Sequence, residues 1–450
     1  MSKKIKMKIP FVHYKLESPE ILQAVLLIAV GLSALPILKE NFGLTDPQAY
    51  AAVFVAEALG LLHVLFADPV VPGWIASALP LITVFLSGYA TVDVDPTARL
   101  EAMIALQILV SLVFLILGIT GLAHKIMKII PGSLKAGILF GVSIAAVAKV
   151  FGKGGYVEGA PITIIVSCVV ALVVVFSVAY KNASAKSKVL RQIGKYGMLS
   201  SLVVAMIVGF ATGEVQLPVF TSRIITPFDF AGLFRTASPF SIGFPSLQTF
   251  ITLIPMALAV YIIAFGDIIT AEAVLQEAKE ARPDEKLDFN SNRTNVISGV
   301  RNLILALFMP YPPMAGPLWA AVTVSVGERY KAGKESMKTM FGGAGSFKLA
   351  TTICVLIFPI VTLLGPVLHV ALACTYIIQA FACSYIAIDQ VKGDKIAAGV
   401  AGLTGGIIYM LNLNWGLAVG IFCFITMENG VAKMLANRKK SLAEKNTPNE

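Results

Sequence analysis

Apolar runs of about 20 residues recur along the whole chain, separated by short polar stretches, and this pattern predicts membrane-spanning helices. In the first half, the predicted segments cover 19–39, 48–67, 72–88, 99–120, 132–152, 160–180 and 197–214. In the second half, they cover 247–275, 294–309, 316–328, 347–366, 367–388, 395–411 and 412–432. We number these segments 1 to 14 in chain order. Segments 3 and 10 are too short or too broken to be ordinary spans.

Composition supports a membrane protein, because 57% of the residues are hydrophobic and only 14% are charged. A soluble domain has about 25% charged residues. The formal net charge of +10 would suggest nucleic acid binding in a soluble protein, but here the basic residues concentrate in short loops. The basic stretches are 124–128, 181–195, 279–293, 329–338, 392–395 and 438–440. They fall in every second loop, so the positive-inside rule predicts an inner-membrane protein with both termini in the cytoplasm and no nucleic acid partner.

The two halves of the chain resemble each other. Val25–Gly31 in segment 1 is similar to Val260–Gly266 in segment 8. Seven segments per half is an odd number, so the halves must have opposite orientations. We therefore predict an all-α polytopic membrane protein of about fourteen segments, built from two inverted repeats of seven. The predicted boundaries are a cytoplasmic tail at 1–18, repeats at 19–214 and 247–432, an extracytoplasmic loop at 215–246, and a cytoplasmic tail at 433–450.

Proline and glycine interrupt segments 3 and 10 at corresponding places in the two halves. The third segment opens with Pro72, Gly73 and Trp74, and the tenth opens with a stretch that ends at Trp319. Broken helices at membrane depth must be buried in protein or line a wet cavity, and a helix that starts there directs free N–H groups into it. Such a pair is the best sequence pointer to a transporter binding site. The alternative is a pair of proline-kinked helices that pack without a ligand.

Asp267 in segment 8 is the clearest ionisable residue within an apolar run, and intramembrane charge indicates function by default. Thr270 lies one turn away on the same face. A carboxylate here can bind a proton, bind Na⁺ or accept a hydrogen bond from a substrate N–H. The alternative is a structural acid paired with Arg301 or with a backbone donor. Arg301 could neutralise Asp267 or attract an anion, or it could extend its side chain to the interface.

Four other polar residues lie in or near the segments. We assign Glu272 to ion coupling, although interfacial solvation is an alternative for this residue near the cytoplasmic end of segment 8. Gln23 is a candidate hydrogen-bond donor, and Glu57 is a weaker functional candidate. Asp68 is expected to cap the region of segment 3 on the cytoplasmic side.

The sequence offers no pattern for a cofactor, a metal or a catalytic reaction. The five cysteines lie in apolar runs without metal-ligand spacing, and the four histidines are scattered. There is no Walker sequence and no Ser-His-Asp candidate. We therefore expect no cofactor and no enzyme activity. A channel stays open as an alternative, since broken helices also occur in pores.

The arrangement resembles the uracil permease type of fold, shared by nucleobase–ascorbate transporters and sulfate permeases. The resemblance rests on Gln23 thirteen residues before Pro36, the Pro72-Gly73-Trp74 opening, and three stretches at 118–132, 255–270 and 310–319; residues 288–295 also resemble sulfate permeases. It implies that segments 1–4 and 8–11 form a core bundle and the others a gate. From the broken segments, the intramembrane polar residues and this resemblance together, the predicted substrate-binding set is Gln23, Gly73, Trp74, Ile263, Phe265, Asp267, Met314, Gly316 and Trp319, and the predicted ion-coupling set is Asp267, Thr270 and Glu272.

Two departures from the nucleobase transporters leave the substrate open. Ile263 stands where those proteins usually carry a glutamate in the eighth segment, and segment 10 has no acid before Glu328. The sulfate permeases usually have a soluble regulatory domain after the membrane part, which this chain lacks. The leading hypothesis is an H⁺- or Na⁺-coupled symporter of a small polar solute such as a nucleobase. The alternative is an exchanger of inorganic or carboxylate anions. The expected partners are the substrate, the ion and membrane lipid, and a homodimer is compatible with the resemblance.

Overall fold

Most of the described residues are helical, as the sequence predicts. The computed structural model describes residues 7–89, 96–195, 198–430 and 432. The predicted tail at 433–450 lies outside these residues, as do residues 1–6 of the predicted N-terminal tail. In the described ranges, six helical stretches are long and apolar enough to cross a membrane. A seventh candidate is the pair Pro161–Phe176 and Val178–Lys186, bent by 68°, and five apolar helices are shorter.

Each segment predicted in the first half contains helix. The helices of segments 1 to 7 are Ser18–Leu32 with Ala34–Phe42, Asp46–Leu59 with Leu61–Leu65, Leu79–Ser87, Pro96–Thr120, Gly132–Phe151, Pro161–Phe176 and Leu199–Thr212. A 3₁₀ turn at Ala76–Ala78 precedes the helix of segment 3. Shorter helices at Ala123–Ile129, Val178–Lys186 and Lys188–Lys195, and a 3₁₀ turn at Tyr156–Glu158, lie in the connections.

The second half repeats this order. The helices of segments 8 to 14 are Leu247–Ala281, Ser291–Phe308, Ala320–Lys331, Met340–Leu356, Leu368–Gln390, Lys395–Met410 and Leu413–Met427. The connections contain Phe230–Ala237, Pro239–Ile242, Phe358–Leu364 and a 3₁₀ turn at Gly365–Val367. Two short strands, β1 at Gly73–Trp74 and β2 at Ala315–Gly316, precede the helices of segments 3 and 10.

The predicted bounds of segment 11, 347–366, are wrong. The Thr339 side chain accepts a hydrogen bond from Gly342 N at 2.9 Å, so the helix begins with a cap ahead of the predicted start. The helix ends at Leu356, and Pro359 lies at the beginning of the next short helix. Proline fits the first turn of a helix but not its interior, which explains the break inside the predicted span.

The helices pack as two groups. Segment 4 packs mainly against segments 8 and 9, and segment 1 packs against segment 11, which also contacts segment 2. Segment 5 packs mainly against segments 12 and 13, segment 6 against segment 7, and segment 13 against segment 14. We call segments 1–4 with 8–11 the core bundle and segments 5–7 with 12–14 the gate bundle. This is the division that the resemblance implies, except that the helix of segment 3 also packs against segment 5.

Candidate functional site

The breaks in segments 3 and 10 meet. Strands β1 and β2 pair antiparallel, with Gly73 opposite Gly316 and Trp74 opposite Ala315. Beyond the strands, Trp319 N donates to the carbonyl of Val71 at 2.7 Å. The two broken segments therefore satisfy each other's backbone groups, which is required of non-helical backbone at membrane depth.

Glycine permits this close approach. A Cβ atom added to Gly73 would lie 2.9 Å from the Cβ of Trp319. A Cβ atom added to Gly316 would lie 2.8 Å from Ile75 N and closer still to the carbonyl of Trp74. Met314, just before β2, has a left-handed backbone with φ of 47°, which is unfavourable for a side chain of this kind. The crossing thus depends on small residues and on one strained position.

Both half-helices begin beside the crossing without a side-chain cap. Among the described residues, no side chain accepts from the first turn at the N-cap of Leu79–Ser87 or at the N-cap of Ala320–Lys331. On segment 3, Leu79 N donates to the carbonyl of Ala76 in the preceding 3₁₀ turn and Pro80 has no N–H, so fewer donors are free there than on segment 10. The first N–H groups of a helix have no partner within the helix, and the helix dipole makes this end positive. The crossing therefore offers hydrogen-bond donors and a mild positive potential.

A cavity of about 1030 Å³ lies between the core bundle and the gate bundle at this crossing. Predicted site residues that line it are Gln23, Gly73, Trp74, Asp267, Thr270, Met314 and Trp319. The gate bundle contributes residues such as Thr375 and Gln379. Exposed Lys181 and Arg191 also line the cavity, so it opens to the side where they lie.

Four predicted site residues lie elsewhere. Gly316 is fully enclosed in β2 and shapes the crossing without lining the cavity. Ile263 lies one turn from Asp267 on the same face but is buried in the apolar core. Phe265 points away from that face, and its ring packs edge-on against His124 with centroids 5.1 Å apart. Glu272 Oε2 lies 3.2 Å from His124 Nε2, and Glu272 lies outside the cavity lining. The helical phase of segment 8 thus brings only Asp267 and Thr270 to the cavity.

Asp267 differs from the other carboxylates of the cavity. Glu57 pairs with Lys348 at 2.6 Å, Glu328 pairs with Lys331 at 2.6 Å, and Glu20 pairs with an arginine. Asp267 is half-buried and has no hydrogen-bond or ion-pair partner among the described residues. It is not paired with Arg301, which lies against His63 and Gly316 instead. A half-buried carboxylate in a cavity is stabilised by binding a cation or a proton donor.

The expectation for Asp68 is wrong, and so is that of an interfacial Arg301. Both residues are buried, and His63 connects them. His63 Nδ1 lies 2.8 Å from Asp68 Oδ2, and Arg301 Nη1 lies 3.2 Å from His63 Nε2. Since arginine only donates, His63 Nε2 accepts from Arg301. The ring proton is therefore on Nδ1, which donates a hydrogen bond to Asp68, so the imidazole is neutral. Asp68 thus balances the charge of Arg301 through His63 instead of capping a helix in water.

Arg301 and its neighbour hold the break of segment 10. Arg301 Nη1 donates to the carbonyl of Gly316 at 2.8 Å. Asn302 donates to the carbonyl of Ala315 at 2.8 Å and accepts from its N–H at 2.9 Å, as a third strand would. Gln107 of segment 4 donates to Asn302 at 3.2 Å and accepts from Tyr311 N at 2.8 Å. Segments 4 and 9 therefore brace β2 from behind.

Sequence reasoning missed Lys348, His63, Gln107 and Asn302. The rule that marked Asp267, that polar residues within membrane segments are costly and functional, could have marked Lys348 in its apolar run as well. In the structure, Gly60 makes room for Lys348, because a Cβ atom there would lie 2.9 Å from Lys348 Nζ and would overlap its stem.

Comparison with known proteins agrees with this fold. The family model for xanthine/uracil permeases, described as a permease family, matches residues 21–315. The structure is similar to that of SLC26A9, with a TM-score of 0.55 and 14% identity over 91% of this chain and 64% of that chain. The murine SLC26A9 anion transporter in its inward-facing state gives a TM-score of 0.53 and 14% identity over 93% of this chain and 69% of that chain.

A third similar structure is the transmembrane domain of the cyanobacterial bicarbonate transporter BicA, with a TM-score of 0.51 and 15% identity over 93% of this chain and 100% of that domain. The chain spans 64% of the length of the first of these structures. No curated protein matches the sequence. At these identities the similarity shows a shared fold.

Proposed function

We propose that this chain, which belongs to the xanthine/uracil permease family, is a secondary active transporter that couples H⁺ or Na⁺ to the uptake of a small polar solute such as a nucleobase. Membrane-spanning helices and transporter neighbours support a multi-pass membrane transporter. The observation that carries the coupling is Asp267, the cavity carboxylate that has no partner within the described chain. A cation bound at Asp267 would complete the charge balance of the cavity wall and prepare the crossing for a substrate.

The substrate site of this proposal is the cavity at the crossing. Trp74 and Trp319 line it on the two broken segments and present aromatic surfaces for a planar ring. Uncapped helix starts donate to carbonyl oxygens, while Asp267 accepts from N–H groups or holds the ion. A ring that carries both carbonyl oxygens and N–H groups matches this set of donors and acceptors.

The transport cycle of this proposal moves the core bundle against the gate bundle. Two inverted repeats at 19–214 and 247–432, joined by an extracytoplasmic loop at 215–246, would explain why both breaks lie in the third segment of their half and run antiparallel. The cavity opens to the side where Lys181 and Arg191 lie, which the positive-inside rule places in the cytoplasm. A reporter fused after residue 450 tests the orientation, since activity only outside the cytoplasm would contradict it.

An anion exchanger is the second candidate. The two uncapped helix starts and the buried Arg301 and Lys348 beside the cavity favour an anionic substrate. The similar structures include an anion transporter and a bicarbonate transporter. However, Lys348 is paired with Glu57, and Asp68 balances Arg301 through His63. At the crossing, these pairings leave little uncompensated positive charge in the cavity wall, and we therefore rank the symporter first.

Uptake measurements separate the two candidates. The chain is expressed in a host that lacks nucleobase and sulfate transport, and uptake of labelled nucleobases, sulfate and dicarboxylates is measured with and without an inward H⁺ or Na⁺ gradient. We expect saturable accumulation of a nucleobase that collapses with the gradient and is lost in Asp267→Asn. Gradient-independent exchange of an anion, retained in Asp267→Asn, would overturn the symporter and support the exchanger.

A further inference from the structure

One ion pair in the cavity wall, Glu57 with Lys348, corresponds in position to the Asn302 and Gln107 pair that braces β2. In the proposed repeats, segment 2 corresponds to segment 9 and segment 4 to segment 11. The pair Asn302 and Gln107 comes from segments 9 and 4, and the pair Glu57 and Lys348 comes from segments 2 and 11. Each pair thus joins one residue from each half, at corresponding segments, but one pair is neutral and the other is charged.

The two pairs make different contacts. Asn302 and Gln107 hydrogen-bond to the backbone at Ala315 and Tyr311. Within the described part of the chain, the Glu57 and Lys348 side chains hydrogen-bond to each other and to no backbone group. Both line the cavity although they are almost fully buried. The charged pair therefore does not brace its broken segment in the way the amides do.

The surroundings shape a position for a cation beside Glu57. Gly60 leaves room for the Lys348 stem, and a Cβ atom on Gly31 would lie 3.1 Å from Glu57 Oε1. Charged and titratable groups close enough to interact are Arg301, Tyr311 and Cys354 with Glu57, and Arg301 and His63 with Lys348. Without Lys348, the Glu57 carboxylate would line the cavity with Arg301 as its nearest counter-charge, which His63 and Gly316 already engage.

We propose that the Lys348 ammonium is a built-in cation that occupies the Glu57 carboxylate, so that the cavity binds one coupling cation, at Asp267, instead of two. The inference rests on the proposed function, because it assigns the number of coupling ions. A buried charge that loses its partner is strongly disfavoured until another cation or a proton replaces it. Removal of Lys348 should therefore create a second cation site of the same class at Glu57.

The test uses purified protein and needs no substrate. Trp74 and Trp319 line the cavity, so a Trp415→Phe background leaves these two tryptophans as reporters. Fluorescence is titrated with Na⁺ against choline at constant ionic strength, and separately with pH in the absence of Na⁺. All variants also carry Asp267→Asn, which silences the proposed coupling carboxylate. Thermal unfolding of each variant confirms that it is folded.

We expect no response from Asp267→Asn alone, a saturable response to Na⁺ or to pH once Lys348→Gln is added, and its loss when Glu57→Gln is added as well. If Lys348→Gln does not fold, Lys348→Met, which keeps a similar length, takes its place. A folded Lys348 variant that responds neither to Na⁺ nor to pH overturns the proposal, as does an equal response after Glu57→Gln. The proposed function is tested separately with the Trp415→Phe protein that keeps Asp267. It fails if this protein and the Asp267→Asn variant respond alike.

Discussion

Gly316→Ala should disrupt the crossing of the two broken segments. The added Cβ would lie 2.8 Å from Ile75 N and nearer to the carbonyl of Trp74. These neighbours are backbone atoms, so they cannot rotate away as a side chain would. The two strands must move apart by about 1 Å before the methyl group reaches ordinary van der Waals contact.

The magnitude follows from the contacts that this shift weakens. Overpacking costs about 1–3 kcal/mol. Loosening one or two backbone hydrogen bonds between β1 and β2 adds about 1 kcal/mol each, for a total of about 2–5 kcal/mol. Because both half-helix starts are fixed by this pairing, a displacement of about 1 Å should lower transport about 100-fold.

Gly266→Ala is the matched control. A Cβ atom added to Gly266 meets nothing within 4 Å, although Gly266 lies beside Asp267 on segment 8. Alanine there should gain about 1 kcal/mol of helix stability. Thermal unfolding in detergent and initial uptake rates, normalised to the amount of protein in the membrane, are measured for both variants. If Gly316→Ala transports and unfolds like Gly266→Ala, the crossing does not define the site.

The remaining predictions concern the brace, the cavity wall and a polar loop. Asn302→Ala should destabilise the protein by about 3–6 kcal/mol, since it leaves buried backbone and amide groups unpaired; equal unfolding temperatures would contradict this. Trp74→Ala and Trp319→Ala should raise the KM for uptake while leaving the protein folded, and normal transport by both would place the site elsewhere. Arg282 donates to two buried carbonyls, so Arg282→Gln should cost about 2–4 kcal/mol. The hydrogen bond from Arg282 holds the pKa of Asp284 well below its usual range. A depressed pKa removes stability only as the pH falls through the folded value, so this cost should be constant between about pH 5 and 8; a cost that changes in this range would contradict it.

The sequence predicts the fold well because membrane segments and their breaks depend on local composition. The beginnings of the two broken segments, at Pro72 and near Gly316, are visible in the sequence as runs of proline and glycine. Proline disrupts a helix interior whatever it packs against. Asp267 is visible for a similar reason, since one carboxylate in an apolar run has no local explanation. These features needed no knowledge of long-range contacts.

The pairing of polar groups could not be predicted, because partners are far apart along the chain. Glu57 and Lys348 are separated by 291 positions, and His63 and Arg301 by 238. Their contacts depend on how segments pack, which hydropathy does not encode. The orientation of Phe265 has a related cause, since its side of segment 8 depends on which helix face meets segment 4.

Transport by Asp267→Asn in proteoliposomes tests the central claim most directly. Labelled substrate uptake is measured in two modes, accumulation driven by an inward H⁺ or Na⁺ gradient and counterflow exchange without a gradient. Asparagine resembles the protonated carboxylate, so in an H⁺ symporter we expect accumulation to be lost while counterflow continues, and in a Na⁺ symporter we expect accumulation to be lost. Full gradient-driven accumulation by Asp267→Asn would show that Asp267 does not couple the ion, and would contradict the account.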